Sequence, residues 1–260
     1  MSEFGQQIGS AWEKVPLPPG ERRLPVYLLL DTSSSMEGAR IEALRQGLEI
    51  FQRELGQDVE VQRAVYVGII SFASDAQMVT PGLVQAESLQ LPALDVGGVT
   101  RLDRAFQVLL ESMDRDLRHP VKGGQKSDYR PVVFVLTDGQ PTDENGYRAD
   151  NWQSARDAVI NRPTGKAKPS ALIAVGCGTD VNSEDVKAII TGPGIVERSS
   201  LTPDELKTTK QTVGWSFLLE DPLASFVNLF RWLSRSLSDS INAGGAPIYK
   251  DPSGTDLIIP

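Results

Sequence analysis

Continuous apolar stretches along the chain alternate with stretches in which apolar residues recur every three or four positions. The continuous stretches are typical of strands that are buried on both faces of a sheet. They predict strands near residues 26–30, 64–72, 132–137, 171–175 and 194–198. A short strand near 76–80 is expected to pair with the second of these at the edge of the sheet.

The amphipathic stretches between these strands predict helices. In residues 39–55 the apolar positions follow a period of about 3.6 residues and would form one face of a helix. Further helices are predicted at 102–117, 152–161, 183–190 and 222–241. Buried strands that alternate with helices predict an α/β fold. We expect a doubly wound, mainly parallel, Rossmann-like sheet with one antiparallel edge strand and helices on both faces.

The two ends of the chain differ in composition from its centre. Residues 1–23 are polar and end in a Pro-rich segment, 16–20, which cannot continue a helix or a central strand. The last residues, 243–260, are rich in Gly, Pro and Ser, which is typical of a flexible tail. We therefore predict an N-terminal arm and linker at 1–23, one domain at 24–242 and a C-terminal tail at 243–260.

Composition and charge narrow the range of functions. Hydrophobic residues make up 40% of the chain, which is enough for a core, and a formal net charge of −8 argues against binding to nucleic acid or anionic membrane. No stretch approaches the roughly 20 apolar residues of a membrane span, and the N-terminus lacks the features of a signal peptide. The one cysteine, Cys177, cannot form an internal disulfide bond, so we expect a cytoplasmic protein.

Side chains that carry oxygen follow the predicted strands at three places. Asp31, Ser33 and Ser35 come directly after the first strand, and in an extended segment residues two apart point the same way. Asp138 directly follows the strand at 132–137, and Thr100 ends a Gly-rich turn before a predicted helix. Because the carboxyl ends of parallel strands meet at one edge of the sheet, we expect these five side chains to meet there.

The five side chains form an all-oxygen set without sulfur or imidazole. Such a set favours Mg²⁺, with Mn²⁺ or Ca²⁺ as alternatives, over zinc or copper. Two carboxylates and three hydroxyls do not saturate a divalent ion, so water is expected to fill further positions. If one Asp binds only through water, the ion keeps a net positive charge. It would then attract an Asp or Glu carboxylate from a partner protein.

At these positions the chain resembles the von Willebrand factor type A (VWA) domain family. Residues 31–35 resemble its DxSxS motif, Thr100 its single-threonine motif and residues 137–139 its TDG motif. The resemblance covers roughly 24–242 and implies a metal-ion-dependent adhesion site (MIDAS). It implies direct coordination by Ser33, Ser35 and Thr100, with Asp31 and Asp138 binding directly or through water. Val99, between the Gly pair and Thr100, departs from the family pattern.

Three further segments resemble bacterial tellurium-resistance TerY-type proteins. They are residues 136–143, with the extended form TDGxPTD, together with 174–180 and 230–237. The resemblance implies a cytosolic bacterial scaffold in a stress-response or tellurium-resistance system. Its implied partners are a Ser/Thr kinase or a PP2C-type phosphatase. No residue in the chain is chemically suited to reducing or sequestering tellurite.

We therefore predict a metal-dependent protein-interaction module rather than an enzyme. The alternative is a Mg²⁺-dependent phosphatase or phosphotransferase with Asp31 as nucleophile. Against it, Ser33 stands where a haloacid-dehalogenase-type site would have its second carboxylate, and no phosphate-binding loop is present. The single histidine, His119, leaves no credible Ser-His-Asp set. A third hypothesis is a metal-free structural subunit with a vestigial site.

Several other polar residues have ordinary structural interpretations. We interpret Asp143 and Asp180 as a helix N-cap and a turn residue, with support of the metal ligands or repulsion of anions as the alternative. Cys177 is expected to pack at a strand end. The alternating serines of the last helix are interpreted as a solvated face, with phosphorylation as the alternative; they are Ser234, Ser236, Ser238 and Ser240.

Overall fold

A mainly parallel sheet of eight strands forms the centre of the computed structural model, which describes residues 22–120, 126–219 and 222–242. The strands are β1 (Leu24–Asp31), β2 (Val65–Phe72), β3 (Ala76–Met78), β4 (Val84–Gln85), β5 (Val132–Thr137), β6 (Ala171–Cys177), β7 (Ile195–Glu197) and β8 (Thr212–Leu219). Their order is β3-β2-β1-β5-β6-β8-β7, and β4 also pairs with β2. Only β3 and β4 run antiparallel to their neighbour. The predicted fold class is confirmed.

Helices cover both faces of the sheet and bury two apolar clusters against it. The helices are α1 (Ala39–Leu55), α2 (Val59–Ala64), α3 (Leu102–Asp116), α4 (Trp152–Ile160), α5 (Ser183–Ile189), α6 (Pro203–Thr208) and α7 (Pro222–Asn242). The core on one face includes residues of α1 and α7, and the core on the other includes residues of α3, α4 and α5. Within the described ranges, none of these helices combines the length and apolarity that crossing a membrane requires.

The position of β1 in the sheet places a crevice at its carboxyl end. β1 lies between β2 and β5, and the strands that follow in the chain extend the sheet in both directions from it. Leu30 is opposite Ser71 on one side and Leu136 on the other, so Asp31 ends its strand beside the end of β5. In doubly wound sheets, this topological switch point is where ligands bind.

Close packing of α1 against α7 fixes the helix that follows the DxSxS segment. A Cβ atom added at Gly47 of α1 would lie 2.7 Å from Cδ2 of Phe230, so the glycine lets the two helices approach closely. The Phe51 and Phe230 rings are 5.4 Å apart between centroids. α1 is thereby held rigidly at the point where the chain leaves the crevice.

The structure contains elements that the sequence pattern did not predict. They are β4, β8, α2 and α6. β8 inserts between β6 and β7, and its apolar pattern is interrupted by Gly214 and Ser216. The predicted strand at 76–80 is shorter, because Thr80 leaves the ladder and its Oγ1 accepts the Ile69 N–H at 3.1 Å.

The interpretation of the α7 serines as a solvated face is wrong. Ser234, Ser236 and Ser240 are buried. Ser234 Oγ donates to the Phe230 carbonyl at 2.9 Å, and Ser240 Oγ donates to the Ser236 carbonyl at 2.8 Å. Such bonds to the preceding turn satisfy a buried hydroxyl within its own helix. The predicted arm and tail lie outside the described residues, except for Arg22 and Arg23.

Candidate metal centre

Asp31, the last residue of β1, is a fully buried carboxylate that joins two strand ends. The Ser33 N–H donates to its Oδ1 at 2.8 Å. The hydroxyl of Thr137, the last residue of β5, donates to its Oδ2 at 2.6 Å. Two donors from adjacent segments therefore fix the orientation of this carboxylate.

The hydroxyls of Ser33 and Ser35 converge, although the chain between them is not extended. A 3₁₀ turn at Ser34–Met36 follows Ser33, which corrects the expectation of an alternating extended segment. The two Oγ atoms are nevertheless 3.1 Å apart, and Ser35 Oγ donates to Asp138 Oδ1 at 2.7 Å. Ser33 is buried and Ser35 is exposed, so the pair leads from the interior to solvent.

The loop that carries Thr100 is fastened to the DxSxS segment by backbone hydrogen bonds. The Gly97 N–H donates to the Thr32 carbonyl at 2.9 Å, and the Ser34 N–H donates to the Gly98 carbonyl at 3.0 Å. The additional residue, Val99, is held by its own N–H, which donates to Ser74 Oγ at 3.2 Å. The loop thus lies against the candidate ligands with Val99 in place.

The hydroxyls of Thr100 and Ser35 lie close to the same residue, Gly139. A Cβ atom added at Gly139 would lie 3.8 Å from both Ser35 Oγ and Thr100 Oγ1. Thr142 holds Thr100 by two bonds, in which its Oγ1 accepts the Thr100 N–H at 3.0 Å and its N–H donates to the Thr100 carbonyl at 2.9 Å. The structure therefore brings all three predicted segments to one crevice.

Arg40, in the first turn of α1, is a member of this crevice that the sequence analysis missed. Its Nη1 donates to Asp138 Oδ2 at 2.8 Å, and its Nη2 donates to Asp180 Oδ1. Asp138 thus has one oxygen on Ser35 and the other on Arg40. The available signal was that Arg40 is the first basic residue after the DxSxS motif.

The remaining polar residues of the sequence analysis have structural roles in loops. Asp143 is a turn residue rather than a helix N-cap, since its side chain accepts the N–H groups of Asn145 and Tyr147 at 2.9 and 3.0 Å. Asp180 lies in a turn and pairs with Arg40. His119 is exposed in a loop.

Burial governs the electrostatics of the crevice. It raises the pKa of Asp31 from 3.8 to about 6, against the hydrogen bonds from Ser33 and Thr137, which lower it; the nearby charge of Asp138 adds to the rise. Burial also raises the pKa of the Cys177 thiol well above its usual value, and the charges of Asp138 and Asp31 reinforce that shift. The thiol therefore stays protonated, and thiolate is the form that attacks substrates or binds metals.

The donor set of the crevice fits a hard divalent cation. No cluster of three or more His, Cys, Asp or Glu residues that could hold a metal occurs in the described parts of the chain, so hydroxyls have to contribute. The residues that would hold the ion are Asp31, Ser33, Ser35, Thr100 and Asp138. When bound, the ion would supply a positive charge to which a carboxylate could attach. The buried Asp31 carboxylate is a candidate ligand, and among the described residues no cationic side chain pairs with it.

We predict that Asp31→Asn stabilises the metal-free protein. Since the folded-state pKa of about 6 exceeds the usual 3.8, protonation favours the fold at low pH, and this contribution is lost as the pH rises through about 6. At pH 8 the ionised carboxylate should cost about 1–3 kcal/mol, which the neutral amide avoids. Urea unfolding in EDTA at pH 8 measures the increase in the free energy of unfolding, and this increase should become smaller toward pH 4.

A control substitution separates burial from a general charge effect. Asp58 caps α2 and accepts the Glu60 and Val61 N–H groups, a role that Asn fills equally well, so Asp58→Asn should change stability little. Mg²⁺ should raise the stability of Asp58→Asn and of the unaltered protein but not that of Asp31→Asn. A loss of stability in EDTA at pH 8 for Asp31→Asn would contradict the prediction.

Comparisons with known proteins agree with this fold. The family model of the von Willebrand factor type A domain matches residues 26–213. Inter-alpha-trypsin inhibitor heavy chain H1 from Bos taurus is 26% identical over 211 residues, which are 78% of this chain and 21% of that protein. The chain thus spans about a fifth of the length of the curated relatives it matches.

Solved structures with low sequence identity share the fold. A von Willebrand factor type A protein from Catenulispora acidiphila superposes with a TM-score of 0.54 at 16% identity, covering 83% of this chain and 43% of the other. The PilB minor pilin from Streptococcus sanguinis superposes with a TM-score of 0.54 at 13% identity, covering 85% of this chain and 63% of the other. At these identities the likeness concerns the fold alone. The family model, which matches residues 26–213 and so more than half of the chain, shows that this chain belongs to the von Willebrand factor type A domain family.

Proposed function

We propose that this chain is a protein-interaction module that captures a partner through a divalent cation, with Mg²⁺ the expected ion. The observation that carries the proposal is the convergence of the Asp31, Ser33, Ser35 and Asp138 oxygens on one crevice that opens to solvent at Ser35. VWA domains are interaction modules that are often metal-dependent. Mn²⁺ and Ca²⁺ are the alternative ions.

The charges of the crevice favour capture of an acidic group. Asp31 and Asp138 supply two negative charges, and Arg40 already pairs with the second. The protein would therefore not fully neutralise a bound divalent ion, and an Asp or Glu of a partner would complete the coordination of that ion. Because metal and partner would bind the same point, each should strengthen the other by the same factor.

The geometry disfavours the enzymatic alternative. A phosphatase or phosphotransferase that uses Asp31 as nucleophile needs an oxygen that can reach substrate, but Asp31 is fully buried and both of its oxygens accept hydrogen bonds. Cys177 is buried with a raised pKa, and His119 lies in an exposed loop. These constraints leave binding as the function that the crevice supports best.

The TerY-type resemblance extends the proposal to a biological setting. Two of its three segments border the crevice: 136–143 contains Asp138 and Thr142, and 174–180 contains Asp180. We place the chain in the bacterial cytoplasm, as a scaffold of a stress-response or tellurium-resistance system. A Ser/Thr kinase or a PP2C-type phosphatase is the partner class that this setting suggests.

Tyr147 provides an aromatic contact beside the crevice. It is 72% exposed at the tip of the loop after β5, and that loop is ordered by Asp143 and by a bridge between Thr142 and Arg148. Thr142 also accepts the Thr100 N–H, so this loop is hydrogen-bonded directly to the candidate ligand. A partner with an apolar side chain near its acidic ligand would contact both.

Capture from native lysate tests the proposal. The unaltered protein should retain its partner in Mg²⁺ and lose it in EDTA, because the bridging cation is removed. Asp31→Asn should lose it in both conditions, whereas Asp58→Asn should behave as the unaltered protein. Mass spectrometry of the captured proteins measures this. Identical protein lists in every condition would contradict a metal-mediated contact.

Once a partner is identified, Tyr147→Ala should weaken its binding by roughly 10-fold or more, as expected of an exposed aromatic anchor. Val59 is the matched control: it is 64% exposed but lies on α2, before the amino end of β2 and so at the opposite edge of the sheet. Val59→Ala should leave affinity unchanged, and neither substitution should alter Mg²⁺ binding. Titration calorimetry with partner and with Mg²⁺ distinguishes these effects. Equal losses for both variants would argue against a contact at Tyr147.

A further inference from the structure

The guanidinium of Arg40 occupies the crevice together with the candidate ligands. Besides its bond to Asp138 Oδ2 at 2.8 Å, Nη1 donates to the Ser35 carbonyl at 3.2 Å, while Nη2 pairs with Asp180. Asp138 and Ser35 are both candidate metal ligands. A positive charge therefore contacts two of the residues that would hold a divalent ion.

The place of Arg40 is built into the fold. Gly178, after the end of β6, has a φ of 126°, and a Cβ atom added there would lie 2.8 Å from Nη2 and 3.1 Å from Nε of Arg40. Any other residue at 178 would displace the guanidinium and strain the backbone. The Gly178 N–H is anchored to the Leu219 carbonyl of β8 at 2.9 Å, so the turn itself is fixed.

The two carboxylates that hold Arg40 differ in exposure. The Asp138 side chain is 0% exposed and that of Arg40 is 23% exposed, whereas the Asp180 side chain is 67% exposed. The Arg40–Asp138 pair is thus poorly screened by water, and its charges act strongly on a neighbouring ion. The Asp180 charge is largely solvated and offsets Arg40 only in part.

We propose that Arg40 is a built-in counter-cation that lowers the affinity of the crevice for divalent ions and keeps a bound ion electropositive toward a partner's carboxylate. Asp180 moderates this effect by offsetting part of the Arg40 charge. The inference rests on the metal site of the proposed function. It differs from a purely positioning role, in which Arg40 orients Asp138 and its removal would weaken metal binding.

Substitutions of Arg40 and Asp180 should change metal affinity in opposite directions. Arg40→Gln removes the repelling charge and should tighten Mn²⁺ binding by about 3- to 10-fold, whereas Asp180→Asn should weaken it by about 2-fold, with less effect at high salt. Arg40→Lys loses the fork that contacts both Asp138 and Asp180 but keeps the charge, so its Mn²⁺ affinity should stay closer to that of the unaltered protein than the affinity of Arg40→Gln does. Calorimetric titration of each full-length variant with Mn²⁺ measures these changes, and circular dichroism in EDTA checks that each one folds.

The outcomes separate the role of Arg40 from the existence of the site. Suppose that Asp31→Asn abolishes Mn²⁺ binding and that Arg40→Gln binds Mn²⁺ as tightly as the unaltered protein or more weakly. That result would overturn the counter-cation role of Arg40 and leave the metal site standing. If Arg40→Gln binds Mn²⁺ more weakly and Arg40→Lys binds it as the unaltered protein does, the role of Arg40 is to position Asp138. No Mn²⁺ binding in the unaltered protein or any variant would overturn the proposed metal site and this inference with it.

Discussion

A buried carboxylate at the end of the central strand is the constraint on which the crevice depends. Asp31 is fully buried, and two hydrogen bonds fix it between the ends of β1 and β5. Desolvation raises the pKa of Asp31, so keeping this carboxylate ionised lowers the stability of the folded protein. That cost is understandable if the group serves a ligand, since a divalent cation would relieve it. The hydroxyls and loops around Asp31 are arranged to complete such a site.

The crevice is assembled by backbone bonds between segments far apart in the chain. Thr32 and Ser34 bind the glycine turn, and Thr142 binds Thr100 on its other side. The candidate ligands are therefore held by short loops between rigid elements. Pre-organisation of this kind reduces the cost of ordering side chains when a ligand binds. It suits a module whose task is to present one point of attachment on a fixed surface.

The sequence predicted what depends on local pattern and missed what depends on tertiary contact. The buried strands and the long helices could be predicted because their hydrophobic patterns are strong. The positions of Asp31 and Asp138 directly after two such strands predicted that both residues lie at adjacent strand ends. The pattern did not predict β8 because glycine and serine interrupt its apolar run, although all of its residues but Leu218 are buried. The burial of the α7 serines depends on tertiary packing, because the positions of serines along a helix do not show which face of that helix is covered. Arg40 was missed because only folding brings α1 beside the turn after β6.

The most direct test of the proposed metal site is the anomalous scattering of crystals grown or soaked with Mn²⁺. The account predicts a Mn²⁺ peak bounded by the Ser33, Ser35 and Thr100 hydroxyls, with Asp31 and Asp138 as direct or water-mediated ligands. Its absence at saturating Mn²⁺ in crystals whose crevice is open to solvent would contradict the central claim. So would a peak that lies elsewhere on the molecule.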